Sequence, residues 1–441
     1  MADTNKKVIN NASWIIVTKV AESILALIIS TLTVRYLGPS NYGLISYASS
    51  LVAFILPVMQ LGLPSILVQE FVDNPEDEGQ ILGTSLFLSF LSAIASMLGI
   101  FAFVSIVNKD ENTTVVVCVL YSLLLLTQAL ALTQYWFQSK LASKYVSVTS
   151  FVAYSLVLMY KTYLLITEKS VSWFALSNVF DYAIIAAVLL VLYKKKSGAK
   201  LKISLITARR MLKKSRYYII SNMMITLFTQ TDRIMLKLMN GNSVAGYYSA
   251  AATCCLITNF IFTAILDSMR PVIFESRKIS PEKFEKNVSR LYCIIIYLAL
   301  MQSIFITALS PFIVNILYGS AYGTSSDILR VFIWYTVFSY IGAVRNIWML
   351  AEDKQKYLWI INLSGAVINV VLNLIFIPTL SGMGAAIASL VTQIFINVII
   401  GYIMRPISYN NKLILKGLNP LFFVEILKTV IGARKKSDAD A

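Results

Sequence analysis

The sequence predicts an all-α integral membrane protein, with twelve transmembrane helices in two parallel six-helix bundles around a central cavity. Three observations lead there. Of the 441 residues 57% are hydrophobic and 14% charged, against about 45–50% and about 25% in soluble domains. Apolar runs of about 18 residues or more recur along the chain, each long enough to cross the hydrocarbon layer as a helix. Lys and Arg collect in alternate connections between those runs. Short alternating segments, the mark of a β-barrel, are missing, and within lipid a helix satisfies its own backbone polar groups.

Taken in order, the runs place helices over roughly 14–34, 44–68, 81–107, 115–137, 146–167, 172–193, 217–236, 246–268, 291–317, 327–349, 358–378 and 384–404. The first run has no A-x-A cleavage site and exceeds a signal-peptide core, so it is expected to stay attached as an anchor. With the N-terminus inside, inner segments hold 29 of the 38 Lys and Arg residues and outer loops only four: Arg35, Lys109, Lys169 and Lys237. This asymmetry places both termini on the cytoplasmic side. Ten of the inner bases fall in 194–216 and six in 269–290. One inner connection, 69–80, is acidic: Glu70, Asp73, Glu76, Asp77 and Glu78, with no base. Acids weigh little in topology, so the orientation stands. After Pro420, the residues Phe423, Ile426, Leu427, Val430 and Ile431 share one helical face, which suits a helix lying on the inner interface, held by Arg434, Lys435 and Lys436.

The organisation follows from these spans. Residues 1–193 form an N-terminal six-helix bundle, 194–216 a basic cytoplasmic linker, 217–405 a C-terminal six-helix bundle and 406–441 a cytoplasmic tail. Six spans per half return the chain to the side it entered from, so any internal repeat is parallel. Gly43-x-x-Ser46-x-Ala48 opens the second span and Gly246-x-x-Ser249-x-Ala251 the eighth, the same place in each half. Two like bundles facing each other enclose a cavity, as carriers do.

Chemistry is bounded by what the chain lacks. It has no histidine, which removes histidine relays, Ser-His-Asp triads and most zinc sites. Cys118, Cys254, Cys255 and Cys293 all lie in apolar runs and form no C-x-x-C pair, so buried inert thiols are expected. No metal site and no cofactor is expected, and the net charge of +16 belongs with cytoplasmic loops and anionic lipid, not nucleic acid.

Several segments resemble a known group of transporters. They are Arg35-Tyr36-Leu37-Gly38-Pro39-Ser40-Asn41-Tyr42-Gly43 after the first span, Thr231-Asp232-Arg233-Ile234-Met235-Leu236 at the seventh, and Leu317-Tyr318-Gly319-x-x-Tyr322 after the ninth. Near the end, Asn369-x-x-Leu372-Asn373-Leu374-x-x-Ile377-Pro378 leads into Gly382-x-Gly384-Ala385-Ala386-x-Ala388. Their order and placement over residues 10–405 are similar to the O-antigen and capsule repeat-unit flippases of the multidrug/oligosaccharidyl-lipid/polysaccharide exporter superfamily. The resemblance implies two six-helix bundles, alternating access and a polyprenyl-diphosphate-linked sugar as substrate. Undecaprenyl-diphosphate-linked oligosaccharide, membrane lipids and the polysaccharide polymerase and chain-length machinery are the partners it implies.

Ionisable residues within spans are the natural functional candidates, because they are costly there. Lys161 lies about 9 Å inside its span and Lys19 about 8 Å, too deep for easy snorkelling. Arg233, Arg330 and Arg345 lie about 5–6 Å inside theirs, and Arg35 stands just after the first span. These six are the candidate bases for a diphosphate. Asp181 is deepest, about 14 Å in. With Glu22, which shares a face with Lys19, and Asp232, it is a candidate for coupling export to H⁺ or Na⁺. Tyr135, Trp136, Tyr154, Gln230, Trp334 and Gln393 could face sugar, although aromatic residues at span ends also form interfacial belts. Gly62, Pro64 and Gly365 could bend helices or serve tight packing. Two other classes compete. A small-molecule drug exporter of the same architecture would prefer an acidic cavity. A membrane polymerase or ligase would need catalytic groups on a sizeable outer loop, and the longest here has about nine residues.

Alkaline phosphatase fused after Asn240 should be active and after Lys202 inactive; the reverse pattern would overturn the orientation.

Overall fold

The computed structural model describes residues 2–423 other than 198 and 421, with side chains from residue 25 onward except that of residue 26. Every regular element among the described residues is a helix. Eight runs are long and apolar enough to cross a membrane, and one bent pair makes a ninth. The chain is an all-α, multi-pass membrane protein.

Contacts divide it into two compact units, Met1–Gly246 and Tyr247–Ala441. The sequence places the division at 194–216; the contacts place it later, because the helix that follows those bases packs on the first unit. In that unit α1 (Ala2–Met59) is two rods joined at Gly38, whose φ of 67° lies in the left-handed region that glycine adopts freely. Pro39 then opens the second rod, where its missing N–H costs nothing. That rod stops at Met59 and not at 68, because Leu61 and Gly62 both take positive φ. The chain turns there into the short α2 (Leu67–Asp73). In α3 (Glu78–Val107) the buried residues Ser85, Ser89, Ala93, Ser96, Ile100 and Val104 recur every three or four positions, while Leu91, Leu98, Phe101 and Ile106 remain exposed. The small, buried stripe allows close helix approach and the large apolar face suits lipid.

The expected span 115–137 lies in one apolar run, Asn112–Ser139, but its helix is locally irregular. It breaks into α4 (Asn112–Ser122), α5 (Leu124–Leu130), a 3₁₀ turn (Ala131–Thr133) and α6 (Gln134–Ser139). A hairpin of α7 (Ser143–Ile166) and α8 (Val171–Lys196) follows, then α9 (Leu205–Asn240). Most of the basic segment 194–216 is therefore helix, at 194–196 and 205–216. Its remainder lies against α3. The Lys202 N–H donates to the Gly79 carbonyl at 3.2 Å, and a Cβ on Gly79 or Gly83 would come 2.4 Å from the carbonyl oxygen of Lys200 or Lys202.

The acidic connection 69–80 meets these bases. Glu70 is 1% exposed and its two oxygens pair with Lys214 at 2.5 Å and Arg210 at 3.2 Å. Glu78 pairs with Lys140 at 3.2 Å and accepts hydrogen bonds from Trp136 Nε1 at 2.8 Å and the Ser197 hydroxyl. Burial pulls the Glu78 carboxyl up, but these donors outweigh it and hold it below the ordinary carboxylate range. The one acidic connection thus lies on the same end of the unit as the basic ones.

The second unit begins within α10 (Asn242–Leu256), at Tyr247, and continues into α11 (Asn259–Ile279), bent from α10 by 42° at the break between them. Ser280 caps α12 (Pro281–Tyr318) by accepting from the Lys283 N–H, with Pro281 at the first helical position. Then come α13 (Gly323–Ala351) and α14 (Leu358–Ile394), which breaks at Ser381. A Cβ on Gly384 would lie 2.3 Å from the Phe376 carbonyl oxygen, so the chain folds back on itself there. A π-helical turn (Phe395–Ile399), α15 (Ile400–Ile403) and α16 (Ser408–Gly417) close the described part. Phe262 stacks on Tyr340 with centroids 3.8 Å apart at the centre of this core. The four cysteines are buried and unbridged. Most of the interfacial helix expected after Pro420, and its basic end, lie outside the described residues.

The glycines of the two matching motifs lie together. A Cβ on Gly43 would fall 1.8 Å from the Asn242 carbonyl oxygen, and one on Gly246 2.0 Å from that of Pro39. Either Gly43→Leu or Gly246→Leu should therefore cost about 1–3 kcal/mol or more by overpacking, seen as a lower melting midpoint of the purified protein. An unchanged midpoint would show that this crossing can open without loss.

Candidate functional site

Lys161 and Asp181 come from the two arms of the α7–α8 hairpin and lie close enough for their charges to interact. Both sit well inside their helices and are half-buried, where a charge is costly. Asp181 also borders a polar cavity of about 190 Å³, lined as well by Gln134, Ser150, Tyr154 and Tyr182. The cavity exists because its neighbour is not a smooth helix: the 3₁₀ turn at Ala131–Thr133 shifts the chain just before Gln134. Such turns inside a span often mark a working region. One helical turn before Asp181, Asn178 donates from Nδ2 to the Tyr121 hydroxyl at 2.8 Å. The cavity thus offers an acid, an amide, a hydroxyl and phenols, with Lys161 near the acid but outside the lining, and such a polar space can hold a proton, a small cation or a polar group displaced from water.

The other expected bases are not gathered there. Arg35 is exposed on α1. Arg233 donates to Gln230 at 3.3 Å on its own helix, and Asp232 beside it is buried. In the second unit Arg330 is exposed, 3.2 Å from Asp327 and 3.1 Å from the Ser310 hydroxyl. Arg345 is 4% exposed and donates to the Ile396 carbonyl and to Asn346 Oδ1. Ile396 lies in the π-helical turn, whose altered ladder frees a carbonyl for this guanidinium. Arg330 and Arg345 are 15 positions apart on α13, about 22 Å along its axis. The side chains of Lys19 and Glu22 lie outside the description.

Some sugar-facing candidates have structural duties. Trp136 is buried and bound to Glu78, Trp334 donates to Thr307 Oγ1 at 3.2 Å, and Gln393 accepts from Asn397 at 2.6 Å. Gly365 packs against Ile396, so tight packing explains it. Sequence reasoning missed Lys237. It is not in an outer loop but inside α9, 4% exposed, with both Glu111 oxygens within 2.7 Å of Nζ and the Tyr47 ring 5.7 Å away. Tyr47 itself donates to Asn108 at 3.1 Å. The available signal was Glu111, an acid in an otherwise short outer connection.

Comparison with known proteins places this geometry. The model of the family described as polysaccharide biosynthesis protein matches residues 8–277. The capsular polysaccharide biosynthesis protein CapF of Staphylococcus aureus is 22% identical over 402 residues, covering 87% of this chain and 96% of CapF. Among solved structures, an inward-facing multidrug resistance MATE family transporter of the MOP superfamily superposes with a TM-score of 0.72 at 15% identity, over 89% of this chain and 96% of its own. The lipid II flippase MurJ in an inward closed conformation gives 0.63 at 15% identity, over 94% and 92%. The fold is that of these transporters.

The Glu111–Lys237 pair sets a pH dependence. Burial raises the Glu111 carboxyl, but hydrogen bonds from Lys237 and Thr114 prevail and hold it below its ordinary value. A depressed carboxyl stabilises the fold above the ordinary range near pH 4.5, and that contribution is lost as the pH falls through the folded-state value. Wild type should melt above Glu111→Gln at pH 7, and the gap should close as the pH falls below the ordinary carboxylate range. A gap that persists at low pH would exclude the ionised pair as its source.

Proposed function

We propose that this chain, which belongs to the polysaccharide biosynthesis protein family, moves polyprenyl-diphosphate-linked oligosaccharide repeat units from the inner to the outer leaflet of a bacterial plasma membrane. It acts as a carrier, with no bond made or broken. The observation that carries this reading is the Lys161–Asp181 pair beside a polar cavity within the membrane-spanning helices. The family match and the likeness to CapF support a polysaccharide cargo, and the fold shared with a lipid II flippase supports a lipid-linked one.

The residues suggest how such a carrier works. A diphosphate entering from the inner leaflet competes with Asp181 for Lys161. Asp181, released from its base, then takes up H⁺ or Na⁺, which keeps the site neutral as the cavity changes access. Arg233 in the first unit, and in the second Arg330 and Arg345, the last buried without a carboxylate among its bonded partners, are further candidate bases. The inside-negative potential drives an anion outward by about 2.3 kcal/mol per charge per 100 mV. Twelve crossings follow if the runs broken at Gly38 and Ser381 each cross twice and α9 and the bent α10–α11 pair cross once. The basic end then faces the cytoplasm.

In proteoliposomes loaded with undecaprenyl-diphosphate oligosaccharide, Lys161→Ala should lower translocation at least about tenfold while the protein still accumulates and folds. Asp181→Asn should retain transport but lose its stimulation by an ion gradient. Normal transport by Lys161→Ala removes the base from the mechanism. Full gradient stimulation in both Asp181→Asn and Glu22→Gln removes the coupling role, and export of cationic dyes without lipid-linked sugar would replace this cargo with a drug-like one.

A further inference from the structure

A second polar cavity, of about 470 Å³, opens at the basic end of the second unit, between the first turns of α12 and the residues that follow α16. Helix α16 is fastened across α12 there. Tyr292 donates its hydroxyl to Asn410 Oδ1 at 2.8 Å, and a Cβ on Gly417 would fall 2.7 Å from that of Tyr292. The chain then continues along α12: the Tyr297 hydroxyl donates to the Leu418 carbonyl at 2.9 Å, and the Tyr297 ring stacks on Phe423 at 4.4 Å. The cavity between is therefore built by the fold.

Its charges are arranged in pairs along one helix face. Glu282, Glu285, Lys286 and Ser289 recur at three- and four-residue spacing on α12 and all line the cavity, joined by Lys416 and Phe422 from the other wall. Glu285 is already answered, by Lys416 at 3.0 Å and by the Tyr409 hydroxyl. Glu282 and Lys286 form no salt bridge among the described residues. Ser289 lines the cavity and is 3% exposed, and its buried hydroxyl has no hydrogen-bond partner. A buried hydroxyl without a partner costs free energy that a ligand's acceptor would recover.

Depth orders these groups. Helix α12 enters the membrane as its numbers rise, at 1.5 Å per residue. From outside inward come a free carboxylate at Glu282, a free ammonium at Lys286 with the unpartnered hydroxyl of Ser289 and the nearby Lys416, and the aromatic pair Tyr297 and Phe423. An aminophospholipid in a leaflet presents the complementary order: ammonium outermost, phosphate next, glycerol and chains below. We propose that this cavity binds the headgroup of an aminophospholipid, with Glu282 holding the amine and Lys286, Lys416 and Ser289 holding the phosphate. The site is separate from the Lys161–Asp181 cavity and does not depend on the cargo proposed above. Its role is to hold α16 against α12 through a lipid bridging both.

The test uses the purified full chain in detergent, with added phosphatidylethanolamine, phosphatidylglycerol, phosphatidylcholine or soluble phosphoethanolamine, read by melting midpoint and by lipid retained in native mass spectrometry. Phosphatidylethanolamine should raise the midpoint most and remain bound as one molecule per chain. Glu282→Gln should abolish the preference over phosphatidylglycerol while keeping phospholipid binding. Lys286→Gln should weaken both lipids about tenfold, the loss of one charge-assisted contact. Ser289→Ala should weaken both less. Both surface variants lie outside the packed core, so their folding is checked by an unchanged midpoint without lipid. Wild-type binding and preference in Glu282→Gln and Lys286→Gln would overturn the proposal. So would a preference for phosphatidylglycerol, or an equal effect of soluble phosphoethanolamine, which would assign the cavity to a free phosphate ester.

Discussion

Among apolar atoms a charge must be answered within reach, and this requirement organises the molecule more than any single helix contact. Glu70 is surrounded by Arg210 and Lys214, Lys237 is held by Glu111, Lys161 lies by Asp181, and Arg345 turns to a backbone carbonyl. Each arrangement joins separate elements. The first brings the start of α9 under the turn after α1, the second joins α9 to the connection between α3 and α4, and the third closes the α7–α8 hairpin. Where water is excluded these attractions are strong, and separating a pair leaves a buried charge, which costs far more than the pair contributes. They are therefore better understood as conditions on which conformations exist than as additions to stability.

The same medium explains where helices break. Within lipid every interruption of the backbone ladder must be satisfied by protein or must line a wet space. The 3₁₀ turn at Ala131–Thr133 borders the Asp181 cavity, and the π-helical turn at Phe395–Ile399 gives a carbonyl to Arg345. These two irregularities each lie beside an ionisable side chain. The backbone is bent where polar chemistry is needed, and straight where Leu91, Leu98 and Phe101 face lipid.

Hydropathy makes the helices legible because their length is imposed by the bilayer, and Gly38-Pro39 marks its turn through local chemistry alone. The motif residues Gly43 and Gly246 are visible as a repeat, but nothing in their order along the chain announces that they touch. Asp181 and Lys161 can be singled out by depth, and their apposition follows from neighbouring helices. The 3₁₀ turn could not be foreseen, since Ala131-Leu132-Thr133 has no glycine or proline and its cause is tertiary. Lys237 was hidden because the apolar run ends before the helix does, and Glu70 because its partners lie 140 and more positions away.

That separation has a consequence for how the chain is made. Glu70 and Lys214 are 144 positions apart, so at about 5–20 residues per second the carboxylate waits roughly 7–30 s for its partner to leave the ribosome. During that interval α2 has been synthesised without the charge that lets Glu70 be buried. The acid must stay in water, or protonated, until α9 arrives. A nascent chain cut before residue 205 would hold five of the apolar runs among the described residues yet lack the clamp at their base. Completion of the first unit is thus tied to the synthesis of its last helix, and a quality-control protease that probes the exposed 69–80 turn would distinguish finished chains from unfinished ones.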